Sequence, residues 1–190
     1  MNTTDYLEVY SESTPNPDTM KFVFNKMILP GESIDYATRE KANTSPLAKN
    51  LFEFNFVNGV FIMNNFVTIT RTPGVEWEGI IPIMKEFLKS YVSSGEPIMH
   101  APIEEDTRDF GEDNAIVQQV KEILDQYIKP AVEMDGGQIS FRDYEKGIVT
   151  VELRGSCSGC PSSTVTLKRG IEGMLTRMVP EVKEVVAHSL

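Results

Sequence analysis

The sequence predicts an α+β fold, with two small α+β domains joined by an acidic flexible linker. Three observations predict it. In both halves, segments that alternate apolar and polar residues stand beside segments with helical apolar spacing. An acidic tract, SSGEPIMHAPIEEDTRDFGEDN (93–114), separates the halves. The 190 residues are 41% apolar, enough for buried cores. The boundaries are an N-terminal domain at 1–92, a linker at 93–114 and a C-terminal domain at 115–190.

The linker is the most charged part of a chain whose net charge is -10. It holds 7 acidic residues and 1 basic residue. Such a segment buries little and repels itself. A loop beyond about 12–15 residues is also uncommon inside a compact domain.

The elements follow in chain order. LEVYSEST (7–14) alternates like a strand, and TPNPDT (14–19) is a turn. KFVFNKMIL (21–29) reads as a strand, and SIDYAT (33–38) as a short one. SPLAKNLFEF (45–54) reads as a helix capped by Ser45, with Pro46 in its first position. GVFIMNNFVTITRT (59–72) is a hairpin turning at Asn64-Asn65. EWEGIIPIMKEFLKSYV (76–92) places Ile80, Ile83, Met84, Phe87, Leu88 and Tyr91 on one helical stripe. Pro82 lies near its start, and Trp77 is expected to pack there.

In the second half, NAIVQQVKEILDQYI (114–128) is a helix with Ile116, Val120, Ile123, Leu124 and Tyr127 on its stripe. Pro130 ends it or starts a short turn. DGG (135–137) is expected to be only a tight turn; the alternative is that it sits near the loop that carries the cysteines and shapes it. QISFRDY (138–144) and GIVTVEL (147–153) are strands joined near Glu145-Lys146-Gly147. PSSTVTLKRGIEGMLTRMV (161–179) is a helix, with Met174 and Met178 on its core stripe, and VKEVVA (182–187) is a last strand.

Composition excludes some functions. An acidic chain without a basic patch does not suit nucleic acid. No apolar run reaches the roughly 18 residues of a membrane span. MNTTDYLEVY (1–10) lacks the pattern of a secretory signal. Two cysteines in one CxxC do not frame a secreted fold. The expectation is a cytoplasmic chain with reduced thiols.

GSCSGCP (155–161) holds both cysteines, Cys157 and Cys160, between a strand and a helix. The helix N-terminus and the turning glycines, Gly155 and Gly159, suit anionic sulfur and would lower a thiol pKa. CxxC serves thiol exchange, zinc and iron–sulfur sites alike. A closed four-ligand site needs two more donors than one chain supplies. Two copies about a two-fold axis would bring four thiolates together. Thiol–disulfide exchange and a zinc-bridged structural dimer stay open as alternatives. His100 and His188 are expected to be exposed and without a role. Arg154 is expected as a solvated strand-end charge, and Lys168 and Arg169 as exposed helix residues.

The DGG turn, the two strands, GSCSGCPSSTVTLKRGIEGML and PEV (180–182) resemble the C-terminal domain of the NifU-like (Nfu) iron–sulfur scaffold family. TPNPDTMKF (14–22) followed by FVTITR (66–71) resembles that family's N-terminal domain. The resemblance implies Cys157 and Cys160 as ligands of a 4Fe-4S cluster bridging a homodimer, and leaves room for a 2Fe-2S form. It implies upstream assembly proteins as donors, apo iron–sulfur proteins as clients, and a carrier that is not an enzyme.

Overall fold

The structure, a computed structural model, describes residues 6–100, 115–158 and 161–189, without the side chains of 161–164 and 189. The chain divides into two compact units, Met1–Ile103 and Glu104–Leu190. Both mix helices and strands, as the α+β expectation requires.

The first unit is a five-stranded sheet in the order β1-β2-β5-β4-β3. Its strands are β1 (Val9–Ser13), β2 (Thr19–Phe24), β3 (Leu29–Tyr36), β4 (Val57–Asn64) and β5 (Phe66–Arg71), all paired antiparallel. Alternation sorts the side chains. Phe22, Phe24, Val60, Ile62, Val67 and Ile69 join the main core, while Phe61, Met63 and Phe66 form a separate cluster. Two helices, α1 (Pro46–Leu51) and α2 (Trp77–Ser94), add Leu47, Leu51, Ile80, Met84 and Leu88 to the main core.

The expected strand over 21–29 is two strands, because the chain turns between Phe24 and Leu29. Asn25 makes the break, donating from Nδ2 to the Tyr6 carbonyl at 2.7 Å and accepting from the Glu8 amide at 3.0 Å. Met27, which gave the stretch its apolar look, is exposed. The expected cap is present: Ser45 Oγ accepts the Ala48 amide at 3.1 Å, and Pro46 starts α1. That helix stops at Leu51, and Phe54 then packs edge-on against Phe87 of α2, ring centroids 5.2 Å apart. The hairpin turns at Asn64, whose φ of 47° a short polar side chain tolerates. Trp77 donates from Nε1 to the Pro17 carbonyl at 2.9 Å, so the TPNP turn is pinned to the start of α2.

α2 ends at Gly95, in the left-handed region at φ 76°. The next residues fold back on this unit. Tyr91 donates to the Pro97 carbonyl at 2.9 Å, Ser45 to the Ile98 carbonyl at 2.6 Å, and the His100 amide to the Thr44 carbonyl at 2.9 Å. The rest of the stretch read as a linker, 101–114, lies outside the described residues.

The second unit opens with α3 (Ala115–Ile123), which runs through a π-helical turn at Leu124–Ile128 into α4 (Lys129–Met134). Pro130 explains the widening. It has no N–H, and its ring would crowd the carbonyl four residues back. The Lys129 amide instead reaches the Leu124 carbonyl, five residues back. The wider turn shifts the stripe where it forms, so Ile128 is buried and Tyr127 is exposed; Val117, ahead of it, is buried as well.

Three strands follow in the order β6-β7-β8: β6 (Gly137–Glu145), β7 (Ile148–Gly155) and β8 (Glu184–Ser189). β6 and β7 form an antiparallel hairpin turning on Lys146 and Gly147, both at positive φ. β8 pairs parallel to β7, which requires the crossover helix α5 (Pro161–Met178). Ile139, Val149, Val151, Leu153, Ile171, Leu175 and Val185 form the core. Met178, expected on the core stripe of α5, is exposed, and so is Val165.

Candidate metal centre

The site begins where β7 runs out. Gly155 pairs with Gly137 in the last register of the hairpin and sits at φ 69°, a value that glycine adopts without strain. The chain then turns through Ser156, Cys157 and Ser158 before α5 begins at Pro161. Ser158 N–H and Oγ–H both donate to the Gly155 carbonyl, at 3.0 and 2.8 Å.

Cys157 points inward. It is 6% exposed and belongs to the same buried cluster as Ile139, Val151 and Leu153. Burial, opposed by the Ser156 hydroxyl and reinforced by the Asp135 carboxylate, pushes its thiol up to about 11. This reverses the expectation of a lowered pKa. The expectation weighed the helix terminus and the glycines, whereas desolvation of a core sulfur is the larger effect. Cys160, the second expected ligand, lies outside the described residues.

The DGG turn does lie against the cysteine loop. Ser156 donates through Oγ to the Asp135 carbonyl and through its amide to the Gly136 carbonyl, the latter at 3.2 Å. Gly136 sits at φ 80°. Gly137 leaves room for the sulfur: a Cβ there would stand 2.9 Å from Cys157 Sγ and 2.7 Å from the Arg154 carbonyl.

Arg154 is not the solvated charge that was expected. Its Nε donates to Glu152 Oε1 at 2.6 Å, and Arg142 pairs with the other carboxylate oxygen. Glu152 is 5% exposed, held on the sheet face opposite the core residues Val151 and Leu153. Part of this cluster was readable, because Glu152 and Arg154 stand two apart on one strand and so share a face. Lys168 is half-buried and lies 4.0 Å from Glu184, while Arg169 is exposed as expected. His100 and His188 are exposed. Among the described residues no three His, Cys, Asp or Glu side chains gather to hold a metal ion.

Comparisons with known proteins match both halves. The family described as Scaffold protein Nfu/NifU N terminal matches residues 9–95, and the NifU-like domain matches residues 120–186. A relative from Drosophila erecta, "NFU1 iron-sulfur cluster scaffold homolog, mitochondrial", is 42% identical over 179 residues, 93% of this chain and 63% of its own. Its counterpart from Drosophila persimilis is 41% identical over 93% of this chain and 64% of its own. The chain thus spans a little under two thirds of these curated relatives. The solution NMR structure of a NifU-like protein from Saccharomyces cerevisiae covers 54% of this chain and 92% of its own, at 25% identity and a TM-score of 0.47.

The expectation of a cytoplasmic chain is overturned by these names, which call the relatives mitochondrial. Its grounds were a polar opening, the lack of a membrane-length apolar run and reduced thiols in a single CxxC, none of which separates the cytoplasm from the mitochondrion. With both of its halves matched, this chain belongs to the Nfu/NifU scaffold family.

Proposed function

We propose that two copies of this chain carry one 4Fe-4S cluster between them, held by Cys157 and Cys160 of each, and pass it to apo iron–sulfur proteins. The observation that carries the reading is the donor count inside the NifU-like match. Both cysteines of the chain fall in sequence between the last residue of β7 and the first of α5, within residues 120–186. Two thiolates per chain complete a four-thiolate set only when two copies meet. The cluster is cargo, so transfer is ligand exchange: an incoming client thiolate displaces Cys157 or Cys160. No bond to carbon is made, and the chain acts as a carrier with upstream assembly proteins as donors. A 2Fe-2S form would use the same four ligands.

The other two readings of the CxxC are weaker. A buried Cys157 with a thiol pKa pushed up to about 11 is a poor attacking group for disulfide exchange. A permanent zinc bridge would use the same four thiolates and is separated from the cluster by mass. Of the bounds read from the sequence, a recognition domain at 1–92, a linker at 93–114 and a cluster-binding domain at 115–190, the linker is shortened at its start, because α2 runs to Ser94 and residues 97–100 bond back to the first unit. The mitochondrial names of the relatives make that compartment the one in which this activity is proposed.

The test is native mass spectrometry after incubation with iron and sulfide without oxygen. The expected species is a dimer heavier by one four-iron, four-sulfide core, absent in Cys157→Ala. A bare monomer, or a dimer carrying one zinc, would overturn the bridging reading.

A further inference from the structure

A cluster shared between two chains needs its sulfur ligands at the surface. Cys157 is instead 6% exposed, with its sulfur against Gly137. Something holds it there. The residue before it is fastened twice to the DGG turn, from the hydroxyl to the Asp135 carbonyl and from the amide to the Gly136 carbonyl. Ser156 is itself 2% exposed, so both bonds are shielded from water. The turn is rigid in its own right. The Gly136 amide donates to the Glu133 carbonyl at 3.0 Å, tying the turn to the end of α4, and Gly137 is the first residue of β6. A seat of this kind accepts the sulfur only because position 137 has no Cβ.

We infer that the Asp135–Gly137 turn is a seat that holds Cys157 inward, that Ser156 is the positioning residue fastening it, and that cluster loading begins when this fastening releases. The inference rests on the reading of Cys157 as a cluster ligand. Release breaks the Ser156 hydrogen bonds to the turn and turns the sulfur outward, while the core strands β6 and β7 keep their ladder. The seat then protects an unloaded thiol and delays exposure of the ligand until a second copy or an incoming cluster stabilises the open loop. Removing the Ser156 hydroxyl weakens the closed state; it also takes away the 3.8 Å contact of Oγ with Cys157 Sγ, which holds the thiol pKa down, so its loss would by itself slow alkylation and cannot mimic the expected rise.

The test uses the full reduced chain without cluster and reads pulsed alkylation by iodoacetamide. Peptide fragmentation separates Cys157 from Cys160. Ser156→Ala is expected to speed alkylation of Cys157 by about five- to tenfold, the effect of one lost hydrogen bond on an opening equilibrium. Hydrogen-exchange protection of β6 and β7 is expected to stay intact. An unchanged alkylation rate in a folded variant overturns the inference. Should Ser156→Ala not fold, hydrogen exchange of the wild-type chain decides. The Ser156 amide is expected to exchange by local opening, faster than that of Val151. Exchange of both only on global unfolding overturns the seat. Iron and sulfide uptake is read in parallel. A wild-type chain that takes up no iron but still shows the Ser156→Ala effect overturns the cluster reading and supports the seat.

Discussion

Cys157 stands under two demands that its surroundings meet one at a time. As a core side chain it is stable while protonated, and as a ligand it must be a thiolate. The first demand has a measurable signature. Its thiol is pushed from an ordinary value of 9.0 up to about 11, chiefly by burial. An unfolded chain loses this proton near the ordinary value, and the folded chain keeps it longer. The stability this group contributes is therefore fully present below about pH 9 and is lost as pH rises towards about 11. Its full size is bounded at about 2–3 kcal/mol. Denaturant melts between those pH values are expected to show a steeper loss of stability in the wild type than in Cys157→Ala. Equal slopes would mean that the sulfur is already in water. The cysteine pair was legible because CxxC is contiguous in sequence. The inward turn of Cys157 was not, because it depends on Gly137, twenty residues earlier, meeting it across a hairpin.

At the scale of elements, turns written in local chemistry could be read and those set by distant partners could not. Gly147 and Asn64 announce hairpins because those residue types themselves tolerate positive φ, whereas Lys146 at φ 52° is carried there by the turn. The break at Asn25 could not be read, since its meaning lies in bonds to Tyr6 and Glu8. The π-helical turn before Pro130 was half legible. The proline signalled a disturbance, but its remedy by a bond five residues back required the folded helix. Two glycines separate the backbone cost from the packing cost. Gly74 sits at φ 87° with open space around a built Cβ. Gly147 sits at φ 89°, but its Cβ would stand 2.9 Å from the Glu181 carbonyl. Gly74→Ala is expected to cost about 1 kcal/mol and Gly147→Ala about 2 kcal/mol or more. Urea melts check this. Equal costs would mean that the 146–147 turn does not approach the segment entering β8.

At the scale of the molecule, α+β was legible in each half because the apolar period switches between two and 3.6 several times. The family resemblance was legible because its motifs, TPNPDTMKF and GSCSGCPSSTVTL, lie in contiguous stretches. The fold-back of residues 97–100 onto the first unit was hidden, since Pro97, Ile98 and His100 bond through backbone atoms that carry no sequence signal. The two main hydrophobic cores share no residue: Leu88 belongs to one and Val151 to the other. Each half therefore has the means to be stable by itself. Leu88 is fully buried, so Leu88→Ala is expected to cost the first unit about 2–5 kcal/mol through lost burial and the cavity left behind. Residue-resolved hydrogen exchange is the measurement. Protection should fall in β2, β4 and β5 and stay unchanged in β6 and β7, and iron uptake by the cysteine loop should persist. Loss of protection in β6 and β7 would show that the second core borrows its stability from the first. The cluster-binding loop would then have to be treated as part of one cooperative whole.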